Sequence, residues 1–112
     1  MPQDLKKMLT QYVNGIQKIY GNELKTVFLY GSYARGDYHE NSDIDIMILV
    51  NLSDSQIKAR QRLLSDLTFD YNFENDVEIM PQVKNCDHFN KWLRAYPFYN
   101  QIKKEGVELY AA

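Results

Sequence analysis

Two apolar runs, Thr26 to Tyr30 (TVFLY) and Asp43 to Val50 (DIDIMILV), bracket twelve residues, GSYARGDYHENS, that are rich in Gly, Ser, Asn and Asp. β-Branched and aromatic residues dominate the first run, and alternating aliphatics the second. Both read as strands of a buried sheet. The segment between them reads as a loop or a short turn of helix. Twelve intervening residues are compatible with antiparallel or parallel pairing, so the spacing leaves the direction open.

The rest of the chain supplies helices for that sheet. Leu5, Met8, Leu9, Tyr12, Val13, Ile16, Ile19 and Tyr20 recur at three- and four-residue steps, the stripe of an amphipathic helix that Gly21-Asn22 ends. Ser53-Asp54-Ser55-Gln56 has the spacing of a capping box. It opens a helix whose stripe is Ile57, Leu63, Leu64 and Leu67, with Tyr71 near its end. Val77 to Val83 (VEIMPQV) reads as a third strand, and Pro81 within it points to a sheet edge or a strand end, since proline cannot donate to the ladder. Asp87 is expected to cap a short helix carrying Phe89, Trp92 and Leu93. After Pro97 a last helix, FYNQIKKEG, closes at Gly106. The tail VELY is compatible with a short strand or a loose end. The expected fold class is α/β (α+β): a small mixed sheet with helices packed on one face, leaving the Asp43 and Asp45 face open.

Composition limits what such a chain can do. Its 112 residues are expected to form one domain over 1–112, with one modest core that removes roughly two-thirds of the chain surface from water. The length leaves no room for a second lobe, so an enzyme of this size holds its substrate partly through something else. A net charge of −2 argues against sequence-independent nucleic-acid binding, which needs a basic face. It does not exclude nucleotide binding, where a metal supplies positive charge. The lone Cys86 excludes an internal disulfide and a multi-cysteine zinc site, and fits a reducing cytoplasm. The longest apolar run, Ile46 to Val50, is far below the ~18 residues that span a bilayer, and MPQDLKKML lacks a signal peptide's apolar region.

The chemistry concentrates between Gly31 and Asp45. Gly31-Ser32 follows directly on a strand, where backbone amides turn toward an anion and a hydroxyl donates to phosphate. Asp43 and Asp45 stand two apart on the next strand, so both carboxylates leave the same face while Ile44 points to the core. A divalent cation resolves their repulsion. Mg²⁺ takes one or two carboxylates and completes its shell with water and substrate phosphates. An Asp pair beside a phosphate-holding turn therefore reads as metal-assisted phosphoryl or nucleotidyl transfer. An Asp-x-Asp alone is usually a solvated strand end. The combination of Gly-Ser, ten residues and Asp-x-Asp between two apolar strands is much more specific.

GSYARGDYHENSDID resembles the signature of the nucleotidyltransferase superfamily that includes DNA polymerase beta. The short chain and the Ser-Tyr-Ala-Arg-Gly wording resemble its minimal nucleotidyltransferases, often paired as antitoxins with helical HEPN-type toxins. The resemblance runs from the leading helix to IKKEGVELY. It implies a polymerase-beta-like fold, with Gly31 and Ser32 as the phosphate-binding turn and Asp43 and Asp45 as metal ligands. It places Arg35 where members carry a basic residue facing the triphosphate. An ion pair of Arg35 with Asp37 or Glu40 is the purely structural alternative. The family's third carboxylate lies on the next core strand, which selects Glu78 in VEIM, with Asp76 as competitor; Glu stands where Asp is commoner. Glu78 is then a metal ligand, a general base, or both.

The implied activity is transfer of a nucleoside monophosphate, AMP from ATP or another NTP, to a hydroxyl acceptor, with two Mg²⁺ ions. By resemblance the acceptor is a tyrosine of a HEPN-type partner. Alternatives are a non-catalytic module that neutralises a partner by contact, and a small-molecule (antibiotic) nucleotidyltransferase, which ordinarily needs an extra domain or a homo-oligomer. His39 and His88 read as surface polar groups and Cys86 as unreactive. Tyr96, Phe98 and Tyr99 form a partner surface or, more simply, pack the last helix on the sheet.

Overall fold

The structure, a computed structural model, describes residues 2–112. Helix α1 (Gln3–Tyr20) leads into a short 3-10 turn and strand β1 (Leu24–Tyr30). The four-residue helix α2 (Ser32–Arg35) and a loop connect β1 to β2 (Ile44–Val50). Two helices, α3 (Asp54–Ala59) and α4 (Gln61–Asn75), cross over to β3 (Ile79–Asn85). Then come α5 (Cys86–Lys91), α6 (Pro97–Glu105) and β4 (Val107–Ala111). The sheet order is β3-β2-β1-β4. β1 is antiparallel to both β2 and β4, and β2 is parallel to β3, so the sheet is mixed as expected. Parallel pairing of β2 and β3 is possible because α3 and α4 supply the long connection it requires.

β2 is the central strand, and its sequence fixes its register. Ile44, Ile46, Ile48 and Val50 are all fully buried on one face, against α1, α4 and Ile79. Burying each such side chain contributes about 1.5–3 kcal/mol. A slip of one residue would drive Asp45 into that core and turn four aliphatics outward, so the alternation pins the carboxylate to the opposite face.

The stripe of α1 lies where the pattern put it, whereas α4 buries Leu64 and half-buries Leu67 but leaves Leu63, expected in the stripe, exposed. Met8, Leu9, Tyr12, Val13, Ile16 and Tyr20 are the buried stripe of α1. The Tyr12 hydroxyl shares a hydrogen bond with Thr68 Oγ1 at 2.8 Å, and its ring meets Tyr71 edge-on, tying α1 to α4. The structure adds a smaller layer on the other face. Phe89, Tyr99 and Ile102 of α5 and α6 pack on Phe28, Met47 and Leu49. They cover that face beyond Asp45 and leave the end carrying Asp45 open.

Several boundaries differ from expectation for local reasons. The capping box at Ser53 and Gln56 is present in both directions, but the helix it opens stops at Ala59 and restarts at Gln61 about Arg60. β3 begins two residues late because α4 runs on to Asn75 and Asp76 closes it in a left-handed conformation, φ 51°. Asn85, not Asp87, caps α5: its side chain accepts from His88 N at 2.9 Å. The tail is an ordered strand, held by the free edge of β1. Pro81 sits on the edge strand, as its missing N–H requires. Among the described residues no helix is long and apolar enough to cross a membrane.

Candidate active site

β1 and β2 end side by side, with Tyr30 opposite Asp45 in the antiparallel register. At that end a cleft of about 560 Å³ opens, within the ~300–1,000 Å³ range of small-ligand sites. Its floor is Tyr30, Gly31 and Asp45. Ser32 and Arg35 of α2 line one side, and Asp37, His39, Ser42 and Asp43 of the following loop line another. The far wall is one face of α6: Phe98, Gln101, Ile102 and Glu105.

Gly31 is the hinge of the site. Its backbone stands at φ 74°, ψ −154°, a region essentially restricted to glycine. A Cβ there would also run into Asp45 Oδ2. The turn and the carboxylate therefore occupy adjoining space, which only a residue without a side chain permits. Ala34 N and Arg35 N both donate to Gly31 O at 3.1 Å, closing the turn of α2. In so short a helix the first N–H groups have no carbonyl four residues back within the helix, so the turn presents donors beside Ser32.

Asp45 is half-buried and Asp43 exposed. Burial raises the Asp45 carboxyl above its ordinary value of 3.8; the neighbouring charge of Asp43 raises it further, and Arg35 opposes both. Two acids on one face, one of them destabilised by the other, make a site that a cation relieves. Tyr30 is pushed up to about 12, first by burial and then by the Asp45 charge, while Gln82 Nε2 donating to its hydroxyl at 3.2 Å opposes the shift.

Arg35 lines the cleft and is also ion-paired. Its Nε lies 3.3 Å from Asp37 Oδ2 and its Nη1 4.0 Å from Glu105 Oε2. Both pairs are solvent-exposed and worth about 0–1 kcal/mol each. They orient the guanidinium without locking it against a polyphosphate.

Glu78 stands apart from this group. It precedes β3, and its carbonyl accepts from Ile44 N at 2.8 Å, which sets it beside Asp43 at the head of the parallel pair. It does not line the cleft. Among the described residues no three His, Cys, Asp or Glu side chains gather at metal-binding spacing. Asp43 and Asp45 both line the cleft, without Glu78. Asp76 is the residue that ends α4.

His39 is exposed, as read from the sequence, and has a further feature that the sequence reading missed. It lines the cleft, and the loop is built around it. His39 N donates to Ser42 Oγ at 2.9 Å, Ser42 N donates to His39 O at 3.0 Å, and Asn41 N donates to His39 Nδ1 at 3.2 Å. With Nδ1 accepting, the neutral ring carries its hydrogen on Nε2. Its signal in the sequence was position, four residues before Asp43. The α6 wall had no such signal beyond helical spacing.

The profile of the nucleotidyltransferase domain family matches residues 9–106. The chain belongs to that family. It is 34% identical over 106 residues to a chain of Methanocaldococcus jannaschii named as a candidate protein adenylyltransferase, MJ0604, covering 94% of this chain and 97% of the relative. A second such chain of the same organism, MJ0141, is 29% identical over 106 residues, covering 95% and 99%. Among solved structures, a chain of a toxin–antitoxin complex crystallised with AMP-PNP superposes with TM-score 0.57 at 20% identity, covering 92% of this chain and 73% of that one. A chain from the complex of tri-AMPylated Shewanella oneidensis HEPN toxin with MNT antitoxin gives 0.51 at 16%, covering 96% and 73%. The superpositions establish the shared fold. The protein is a nucleotidyltransferase, and the cleft is where its signature residues converge.

Proposed function

We propose that this protein transfers AMP from ATP to a hydroxyl, that of a tyrosine, on a helical HEPN-type partner, and so acts as an antitoxin. The single observation that supports the chemistry is the close approach of the Gly31 turn to Asp45, in a cleft that Asp43 also lines. The relatives named as protein adenylyltransferases support a protein acceptor, and the structural neighbours that are toxin–antitoxin complexes support its class. A surface suited to a partner is present on α4, where Leu63, Phe69 and Phe73 are exposed and the two phenyl rings stack at 6.2 Å.

Each residue has a task in this reading. The amides of the Gly31–Ser32 turn, the Ser32 hydroxyl and Arg35 hold the triphosphate. Asp43 and Asp45 fit Mg²⁺, since two carboxylates with open positions suit an ion that keeps water and phosphate ligands. Bound there, Mg²⁺ would neutralise charge on the transferring phosphoryl group and the leaving pyrophosphate. Glu78, beside Asp43 at the head of β3 but outside the cleft, is the proposed third carboxylate: with the partner docked it would join the metal set or take the acceptor's proton. The acceptor oxygen bonds to the α-phosphorus, the bond from that phosphorus to the bridging oxygen breaks, and pyrophosphate leaves.

The test is incubation of the protein with ATP labelled at the α-phosphate, Mg²⁺ and a HEPN-type partner. Label is expected on the partner, lost with chelator and lost in Asp43→Asn. Absence of label with every NTP would overturn the catalytic reading in favour of neutralisation by contact.

A further inference from the structure

The wall of the cleft opposite α2 is made by a single helix face. Phe98, Gln101, Ile102 and Glu105 recur at three- and four-residue steps along α6, and all four line the cleft. They are not equivalent. Ile102 is buried and, with Tyr99, anchors α6 on Phe28, Met47 and Leu49. Phe98 takes no part in that core. It is 42% exposed, and its ring meets Tyr30 edge-on at 5.6 Å. An aromatic ring left open inside a ligand cleft, on a helix already anchored by its neighbours, is available to a ligand.

The polarity of the cleft says which part of a ligand. Arg35 and Ser32 belong to the phosphate-binding turn, and Glu105 at the C-terminal end of α6 reaches Arg35. The N-terminal end of α6 carries Phe98, which lies against Tyr30, the residue opposite Asp45. α6 therefore runs from an aromatic end at Tyr30 to an ionic end at Arg35. Between them the Gln101 carboxamide donates only a long 3.4 Å hydrogen bond, to Glu105. A carboxamide pairs a donor with an acceptor, which matches the adjacent N6 donor and N7 acceptor of adenine. Guanine presents two acceptors on that edge and would oppose the amide oxygen.

We propose that Phe98 and Gln101 form the nucleobase subsite, Phe98 stacking on the base and Gln101 selecting an adenine edge over a guanine edge. The inference rests on reading the cleft as an NTP site, and deepens it by assigning the base specificity to α6.

The experiment compares three probes on the folded chain by calorimetry in Mg²⁺: ATP, GTP and inorganic tripolyphosphate. The wild type is expected to bind ATP more tightly than either of the others. Phe98→Ala should weaken ATP roughly five- to hundredfold, the range of one base–aromatic stack, and leave tripolyphosphate unchanged. Phe98→Trp should retain ATP affinity. Gln101→Leu should draw ATP and GTP together, again with tripolyphosphate unchanged. Equal affinity of the wild type for ATP and tripolyphosphate would overturn the subsite while leaving the phosphate site standing. Parallel loss of both ligands in Phe98→Ala would assign the ring to holding the wall, and also overturn it. A wild type that binds none of the three probes would overturn the NTP reading itself, and the subsite with it.

Discussion

Gly31 and Gly36 lie five residues apart with similar φ, and they separate backbone strain from site geometry. Gly31 is at φ 74°, ψ −154°, and Gly36 at φ 86°, ψ 6°. An alanine at Gly36 takes a left-handed conformation at about 1–2 kcal/mol, and a Cβ there meets nothing within 4 Å. In a chain of 112 residues that lowers the melting temperature by roughly 4–9 °C. An alanine at Gly31 carries a backbone cost of about 1–3 kcal/mol. It also places a methyl group against Asp45 Oδ2, so the turn or the carboxylate must move. Displacing a reacting group by ~1 Å costs on the order of a hundredfold in rate. The expected outcome is that Gly36→Ala melts earlier but still transfers nucleotide, whereas Gly31→Ala melts earlier and loses transfer by about two orders of magnitude. Thermal melts and transfer of α-phosphate label, run below both melting temperatures, measure the two effects separately. Equal transfer by the two variants would refute the argument that contact between the turn and Asp45 builds the site.

Asp45→Asn should abolish transfer without lowering stability. The folded-state pKa of Asp45 is raised, so ionising it costs stability as pH rises from about 3.8 through the higher folded value; above that window the variant should melt at or above the wild type, as pH-dependent melts would show. Glu78→Gln should slow transfer while preserving nucleotide affinity, and Asp76→Asn should leave both unchanged, since asparagine tolerates the left-handed backbone at φ 51° that ends α4. An inactive Asp76→Asn beside an active Glu78→Gln, in the same labelling assay, would reverse that assignment.

The parts of the fold legible in the sequence are those fixed by local periodicity. The stripe of α1, the aliphatic alternation of β2 and the capping box at Ser53 each follow from spacing alone, and each is present in the structure. What the sequence could not show depended on partners elsewhere. The tail VELYA becomes β4 because β1 offers a free edge, a fact about the sheet and not about those five residues. The break at Arg60 leaves the apolar stripe on both sides compatible with one continuous helix. At the start of α5, Asn85 and Asp87 are both competent caps. The choice fell to Asn85, the last residue of β3, whose amide nitrogen also donates to Leu52 O at 2.8 Å.

The same division runs through the site. Gly31, Ser32, Asp43 and Asp45 are legible because a hairpin brings the end of one strand back to the start of the next, so residues near in sequence become near in space. The α6 wall arrives from the far end of the chain, and its apolar spacing is that of any helix packed on a sheet. Phe98 and Tyr99 are adjacent aromatics with nothing in the sequence to separate them. The rotation of α6 about its own axis decides: it buries Tyr99 against Phe89, with ring centroids 4.7 Å apart, and leaves Phe98 at the cleft beside Tyr30. Ile102 sets that rotation by inserting into the same cluster as Tyr99. An apolar anchor on one part of the helix thus determines which aromatic meets the ligand, and the chemistry of the cleft is specified by packing outside it.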